Sequence, residues 1–535
     1  MNTLQTLTSY LQGRWVTGAG ALAPLFNPAT EEQVASAGTA GIDFGAALAH
    51  ARSAGPALRE LTYAQRGEML RALSKALHAH RDELIGLAVQ NGGNTRSDAK
   101  FDVDGAIGTL AHYADLGAQL GSVRALRDGE PVQIGRTARY VGVHVFTPRD
   151  GVAVHINAFN FPAWGTAEKL ACALLAGMPV LSKPATSTAL VAWRLSQLCV
   201  ETGALPPGAF GFICGSAGDL LSRLGADDVV AFTGSATTAK LLRATLGPAG
   251  VRFNVEADSL NSALLGPDVE QGSATWDLFI ADVAKDITQK AGQKCTAIRR
   301  IFVPADKADA VQEALIERLA GVRVGDPSRL EVNMGPLATR DQQRDVKAGL
   351  SRLLNESKAE TRAVFGGEGD VSVNAAEPAK GYFMGPVLLR CDAPAAAVAL
   401  HRDEVFGPVS TLCPVGGSGK ALARESVDLV RRGGGSLVCS VFSDDRAFLK
   451  EVVLSLAPAH GRIYLGSEKV AGQTFGPGTV LPQLLHGGPG HAGGGEELGG
   501  LRGLSLYSQR TALQGDKALL DAIAPAAGPA AVVAQ

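Results

Sequence analysis

Cys295 and Glu256 stand where residue type and neighbourhood together suggest chemistry. Cys295 lies in Gly292-Gln293-Lys294-Cys295-Thr296, a stretch of polar and small residues. The other six cysteines (172, 199, 214, 391, 413 and 439) sit in apolar segments with no C-x-x-C pair, as buried small hydrophobes do. A thiolate beside Lys294 and backbone donors would be a nucleophile, although a lone cysteine is more often inert. Glu256 occurs 39 residues earlier, in Phe253-Asn254-Val255-Glu256-Ala257-Asp258. Apolar flanks would desolvate its carboxylate, raise its pKa and poise it as a general base; the alternative is a surface strand residue.

Three further pieces could serve such a pair. Asn160 falls in Ala158-Phe159-Asn160-Phe161-Pro162-Ala163-Trp164, where its amide could donate to an oxyanion or merely serve a proline-containing turn. Thr233-Gly234-Ser235 ends one apolar run and opens the helical stretch Ala236–Leu246. Free N–H groups and the positive dipole end there would suit a pyrophosphate, although on this stretch alone a simple N-cap at Ser235 is the favoured reading. Lys183, in Val180-Leu181-Ser182-Lys183-Pro184, ends another strand; a dinucleotide ribose would lie there in a doubly wound sheet, although a solvated charge is the commoner reading.

The elements that must position these residues show βαβ rhythm. Strands are predicted at Val152–Ile156, Val180–Ser182, Phe210–Ile213 and Val229–Phe232, with Ser216 and Asp219 as a capping box and Gly177 as a helix stop. A second alternating region follows Cys295, with strands at Arg300–Val303 and Ser436–Phe442 and a helix at Lys307–Leu319. Upstream, leucines 70, 73, 77, 84 and 87 predict one helix from Tyr63 to Gln90, stopped by Asn91-Gly92-Gly93-Asn94. The glycine-rich stretch Gly487–Gly500 is either a flexible linker or a place where backbones approach closely, and Ala524–Gln535 reads as a loose tail.

With 535 residues, the chain is long enough for two to four domains. Its 46% hydrophobic and 19% charged content describes a globular protein, and a net charge of −2 lacks the basic field that draws proteins to nucleic acid. Nothing at the start reads as a secretory signal and no apolar run is long enough to span a bilayer, so a cytoplasmic location is expected, with no membrane or nucleic-acid partner and no metal.

In order along the chain, Asn160-Phe161-Pro162, Lys183-Pro184-Ala185, Phe232-Thr233-Gly234-Ser235, Gly292-Gln293-Lys294-Cys295 and Glu404-Val405-Phe406-Gly407-Pro408 resemble the aldehyde dehydrogenase superfamily, from about Asn27 to Tyr507. The resemblance implies an α/β fold: a Rossmann-type parallel-sheet cofactor domain (1–135 and 151–266), an α/β catalytic domain (267–490) and a small β oligomerisation domain (136–150 and 491–510), followed by a C-terminal tail (511–535). It implies Cys295 as nucleophile forming a thioester, Glu256 as the base for its hydrolysis, and Asn160 with the Cys295 N–H as oxyanion donors. Lys183, Pro184, Ala185, Thr186, Thr233, Gly234, Ser235, Glu404 and Phe406 would bind the cofactor, and a homo-oligomer, with a dimer favoured, is expected.

Three departures refine this expectation. Thr186 stands where members that favour NAD often carry an acid that accepts from the adenosine ribose; its absence removes repulsion against a 2′-phosphate, so NADP is expected in preference to NAD. Glu256-Ala257-Asp258-Ser259 replaces a Glu-Leu-Gly-Gly pattern, and Glu497 follows Glu496, where a basic residue is common. Glu497 is either a proton relay or structural. With His486-Gly487-Gly488-Pro489-Gly490, these features resemble the branch that oxidises coenzyme A-linked ring-cleavage semialdehydes in aerobic aromatic degradation, with a dehydroadipyl-CoA semialdehyde as the expected substrate. An acylating relative, which hands its thioester to free coenzyme A, and a non-catalytic binding or structural protein on the same fold are the alternatives.

Overall fold

The computed structural model describes residues 4–356, 360–367, 371–377 and 380–527. Two seven-stranded sheets organise them. In the first, Arg252–Glu256, Val229–Thr233, Ala153–Ile156, Val180–Lys183 and Phe210–Phe212 lie side by side in parallel, and the hairpin Ser9–Leu11/Arg14–Val16 adds antiparallel strands at one edge. Chain order reverses across Ala153–Ile156, because the next two strands are laid on one side and the following two on the other. Such a switch point opens a crevice beyond the carboxyl ends of the strands, where ligands bind. Asn157 and Thr233 stand at that end.

The second sheet orders Thr361–Phe365, Val387–Cys391, Val409–Val415, Arg300–Pro304, Ser262–Leu265, Ser436–Phe442 and His460–Gly466, parallel except for the first strand. It starts at Ser262, so the boundary expected between 266 and 267 falls instead in the turn that follows Glu256. Residues of the inner strands of this sheet are buried almost throughout, as expected of parallel strands covered on both faces.

The predicted strands appear within a residue of their expected limits, and the single helix from Tyr63 to Gln90 appears as two. Thr62 and Gln65 cap Tyr63–Ala79 reciprocally, and the chain turns at His80 before Arg81–Gly92 begins with Asp82 and Glu83 in its first turn. The leucine spacing survives the break because Leu77 and Leu84 both face the same core. Gly93 ends the second helix in the left-handed conformation. Ser216 and Asp219 form no capping box: Leu220–Arg223 is one 3-10 turn, and Ser216 Oγ accepts instead from Gly218 N. Helix Trp164–Ala176 is buried on nearly every side.

The small antiparallel sheet is built from Leu126–Gln133, Tyr140–Pro148 and Ser508–Asp516. Only the middle strand falls within the expected 136–150. The stretch 491–510 is mostly 3-10 turns around the short strand Glu496–Leu498, and 511–516 continues a strand rather than opening a tail. A helix, Lys517–Ile523, follows and sets Leu520 against Val141 and Val143. Most of the expected loose tail lies outside the described residues. No helix among the described residues is long and apolar enough to cross a membrane.

The glycine-rich stretch knits the two large sheets together. Leu485–Gly487 pairs with Glu496–Leu498, and this ribbon runs between the second sheet and the edge strand Arg252–Glu256. Gly495 N donates to Val255 O at 3.0 Å and Ala257 N to Ala492 O at 3.0 Å. A Cβ at Gly495 would meet Val255 O at 2.3 Å, so backbone occupies the space of a side chain. Gly495→Ala is expected to destabilise the fold by about 1–3 kcal/mol, the cost of overpacking; side-by-side thermal unfolding with wild type measures it.

Candidate active site

Cys295 is presented by a strained loop. Helix Ala274–Thr288 ends, and Lys290, Ala291 and Gly292 follow with φ of 54°, 50° and 68°. Left-handed backbone costs roughly 1–2 kcal/mol at a non-glycine residue, so surrounding bonds must hold the loop. Lys290 Nζ donates to Asn94 Oδ1 at 2.9 Å and lies 4.5 Å from the Phe161 ring centroid. Gln293 Nε2 donates to Lys290 O, and its Oε1 accepts from Ala338 N. A Cβ on Gly292 would strike Gly407 O at 2.2 Å. Asn261 Nδ2 then grips the carbonyls of Cys295 at 2.7 Å and Ala297 at 2.9 Å.

Lys294 does not activate the thiol, contrary to the sequence expectation. Its ammonium is buried beside Asp286 Oδ1 at 2.6 Å and Gln289 Oε1 at 2.9 Å, which ties the loop to the preceding helix. The group facing Cys295 is His486, whose Nε2 lies 3.9 Å from Sγ and 3.0 Å from Glu256 Oε2. Burial, then the Glu256 charge, pushes the Cys295 pKa well above the ordinary thiol value. Both effects favour the protonated thiol.

Glu256 also departs from its expectation. It is buried at the end of its strand, next to Thr233 in register. Burial acts to raise its pKa, as the apolar flanks suggested, but the His486 imidazolium opposes burial and holds the carboxylate below its usual range. In return, Glu256 raises His486 against the lowering effect of burial. The result is a buried ion pair, with Glu256 Oε1 left without a hydrogen-bond partner.

Asn160 joins them. Its Nδ2 donates to Gln293 O at 3.0 Å, which leaves its second amide hydrogen for another acceptor. Among the described residues, the Cys295 N–H has no backbone acceptor either. Asn160, Glu256, Cys295, His486 and Thr233 line one partly open cavity. Glu497 lies just behind, where its carboxylate meets Lys169 Nζ at 3.1 Å and accepts from Asn254 Nδ2 at 3.2 Å. Lys169 also contacts Glu168 at 3.3 Å. Burial raises the Glu168 pKa to about 7.

The remaining expected residues lie away from the lining of this cavity. Ser235 is an N-cap, accepting from Thr238 N at 3.2 Å, and Asp258 Oδ1 accepts from Ala236 N at 3.0 Å. Lys183 ends its strand, with Pro184, Ala185 and the short turn Thr186–Thr188 after it. Burial lowers the Lys183 pKa, its Nζ donates to Pro184 O, and it forms no salt bridge among the described residues. Glu404 accepts from Ser259 N at 3.0 Å and lies 3.3 Å from Arg299 Nη2; burial raises its pKa to about 7. Phe406 packs edge-on against Phe159, 5.8 Å between centroids. A dinucleotide fits this chain: Thr233 Oγ1 and Asn157 Oδ1 are buried without partners at the switch point, and Lys183 is a half-buried cation without a counter-ion among the described residues.

The sequence reading missed His486, Glu168 and Lys169. Glu168-Lys169 was visible as the charged step in the otherwise apolar helix WGTAEKLACALLA, whereas nothing in a glycine-flanked histidine tells that it will face a cysteine 191 residues away.

Residues 15–509 match the aldehyde dehydrogenase family. The chain is 46% identical over 486 residues to the 3,4-dehydroadipyl-CoA semialdehyde dehydrogenase of Aromatoleum evansii, covering 90% of this chain and 93% of that one. It is 42% identical over 190 residues to the protein MaoC of Klebsiella aerogenes, covering 36% of this chain and 52% of that one. Among solved structures, betaine aldehyde dehydrogenase from Staphylococcus aureus in complex with NAD+ has the same fold, with a TM-score of 0.82 at 23% identity over 95% of this chain and 94% of that one.

The ion pair dictates a pH signature. The depressed Glu256 pKa contributes stability above the ordinary glutamate value of about 4.3, and that contribution is lost as pH falls through the folded value. The raised His486 pKa contributes below about 6.5 and loses its contribution as pH rises through the folded value. His486→Ala should therefore cost most between about pH 4.5 and 6.5, on the order of the 3–5 kcal/mol of a broken buried pair, and less in alkali. Denaturant melts of both proteins across this range measure the gap.

Proposed function

The chain belongs to the aldehyde dehydrogenase family, and from that premise we propose that it oxidises a coenzyme A-linked semialdehyde of the 3,4-dehydroadipyl type to the acid, with NADP preferred over NAD. The convergence of Cys295, Glu256 and Asn160 on one cavity carries the chemistry, and the relatedness to the Aromatoleum evansii enzyme carries the substrate.

The Cys295 proton passes to the free Oε1 of Glu256 as Sγ attacks the aldehyde carbon. Negative charge then moves from the carboxylate to the sulfur, and the His486 imidazolium lies within 3.9 Å of both its old and its new partner. The buried thiolate thus forms beside a fixed cation rather than unsupported. Oxygen of the former carbonyl becomes an oxyanion that accepts from the second Asn160 amide hydrogen and the Cys295 N–H. Bound nicotinamide supplies the hydride acceptor. For hydrolysis of the resulting Cys295 thioester, Glu256 must first shed its proton, and Lys169 with Glu168 and Glu497 forms the buried ionisable path behind it. Glu256 then deprotonates the water that releases the acid.

An acylating enzyme would instead present the thioester to free coenzyme A and need no base; a buried carboxylate beside the nucleophile favours water. On a stand-alone panel of free and CoA-linked semialdehydes, the linked substrates should show the higher kcat/KM, and product should form without added coenzyme A. Strict dependence on coenzyme A would sink hydrolysis. A homodimer is proposed through the small antiparallel sheet, where Val132, Ile134 and Tyr140 are exposed.

Glu256→Gln should slow the burst of about one equivalent of reduced nicotinamide and abolish the steady turnover after it, because the variant lacks the acceptor for the Cys295 proton and the base for water; stopped-flow absorbance reads both phases. Thr186→Glu should shift the ratio of kcat/KM for NADP over NAD by at least about tenfold toward NAD, since like charges brought together cost several kcal/mol. Steady-state assays with the two cofactors measure the ratio.

A further inference from the structure

The His486 contact has a second chemical meaning. One donor atom each from Glu256, Cys295 and His486 lies within 4.8 Å of the others, with Nε2 3.0 Å from a Glu256 oxygen and 3.9 Å from Sγ. We propose that these three side chains form a zinc(II) site whose occupancy silences the enzyme. The inference adds regulation to the reading above and rests on it for the word silences alone, because binding itself requires no turnover.

Geometry and donor chemistry agree. Zinc bonds run about 2.3 Å to sulfur and about 2.0–2.2 Å to nitrogen or oxygen, so neighbouring ligands in a tetrahedral shell stand roughly 3.3–3.6 Å apart. His486 Nε2, at 3.0 Å from the Glu256 oxygen and 3.9 Å from Sγ, is within about half an ångström of that spacing from both partners. Thiolate, imidazole and carboxylate form a set that selects zinc over magnesium or calcium. Three protein ligands would leave the fourth position open to the cavity, where a water would sit. An independent observation points to a ligand: Glu256 is 2% exposed, and its Oε1 has no hydrogen-bond partner. The first coordination shell is also braced from outside, since Asn261 holds the Cys295 carbonyl at 2.7 Å.

The balance is that of a ligand exchange. Zinc displaces one proton from the Cys295 thiol and one from the His486 imidazolium, and Glu256 coordinates as the carboxylate it already is. Nothing is oxidised or reduced. The metal engages the nucleophile and the base at once, so neither attack on an aldehyde nor activation of water can proceed until it leaves.

The test uses the whole 535-residue chain freed of metal by a chelator. Zinc titrated calorimetrically should bind at one equivalent, and Co2+ at the same site should give a thiolate-to-cobalt charge-transfer band in the near ultraviolet that Cys295→Ser lacks. Bound zinc should slow labelling of Cys295 by iodoacetamide. His486→Asn and Glu256→Gln should each weaken binding by at least the roughly 10–100-fold that loss of a supporting outer-shell partner costs. Equal zinc affinity in wild type and both variants overturns the site, as does bound cobalt without the band. Aldehyde turnover of the metal-free protein reports separately: a chain that binds zinc but oxidises nothing keeps the site and loses the dehydrogenase reading, and one that turns over indifferent to zinc does the reverse.

Discussion

The ion pair between Glu256 and His486 is the constraint around which the site is arranged. A carboxylate and an imidazolium 3.0 Å apart and almost wholly buried are costly to desolvate and strongly destabilising to separate. Their placement also requires two chain segments to be held in register: the edge strand of the first sheet, which carries Glu256, and the ribbon attached to the second, which carries His486. Close backbone contact makes that register definite, because Gly493 and Gly495 lie against Val255 with no room for side chains. The glycines are thus as necessary to the charge geometry as the charged residues.

The nucleophile loop obeys a similar logic in a different form. Lys290 and Ala291 adopt left-handed backbone without being glycine, which implies that surrounding contacts over-determine the loop. Those contacts come from Asn94, Phe161, Gln293, Asn261 and the close-packed Gly407 carbonyl. Asn160 closes the circuit by bonding the same loop at Gln293 O. Asn160 and Cys295 are therefore positioned by one hydrogen-bond network.

Much of the framework was legible in the sequence because it depends on local pattern. Strands of the first sheet announce themselves as short apolar runs, Gly93 and Gly177 end helices as glycines do, and Ser235 caps the helix it precedes. The motifs around Asn160, Glu256 and Cys295 were legible as a family resemblance, and the family is borne out over residues 15–509. What was not legible depends on distance in the chain. Lys294 adjoins Cys295 in sequence, yet its ammonium turns to Asp286, and His486 arrives from a remote ribbon. The third strand of the small sheet was misplaced because 500–507 coils into 3-10 turns before the strand starts at Ser508. Apolar flanks foretold burial of Glu256 but not its counter-ion, so the direction inferred for its pKa was reversed.

Charge counting explains why Glu168, Lys169 and Glu497 belong to the same design. The buried cluster holds three carboxylates, on Glu168, Glu256 and Glu497, against two cations, on Lys169 and His486. Low-dielectric surroundings resist one excess negative charge, and the group least compensated takes up a proton most readily. Glu168, raised to about 7 by burial, is placed to do so. A cluster that is short of one proton at neutral pH can take one up and return it as readily, without creating a new isolated charge. Balanced charges would have made a more rigid support; the imbalance leaves room for one exchangeable proton, as the proposed mechanism requires.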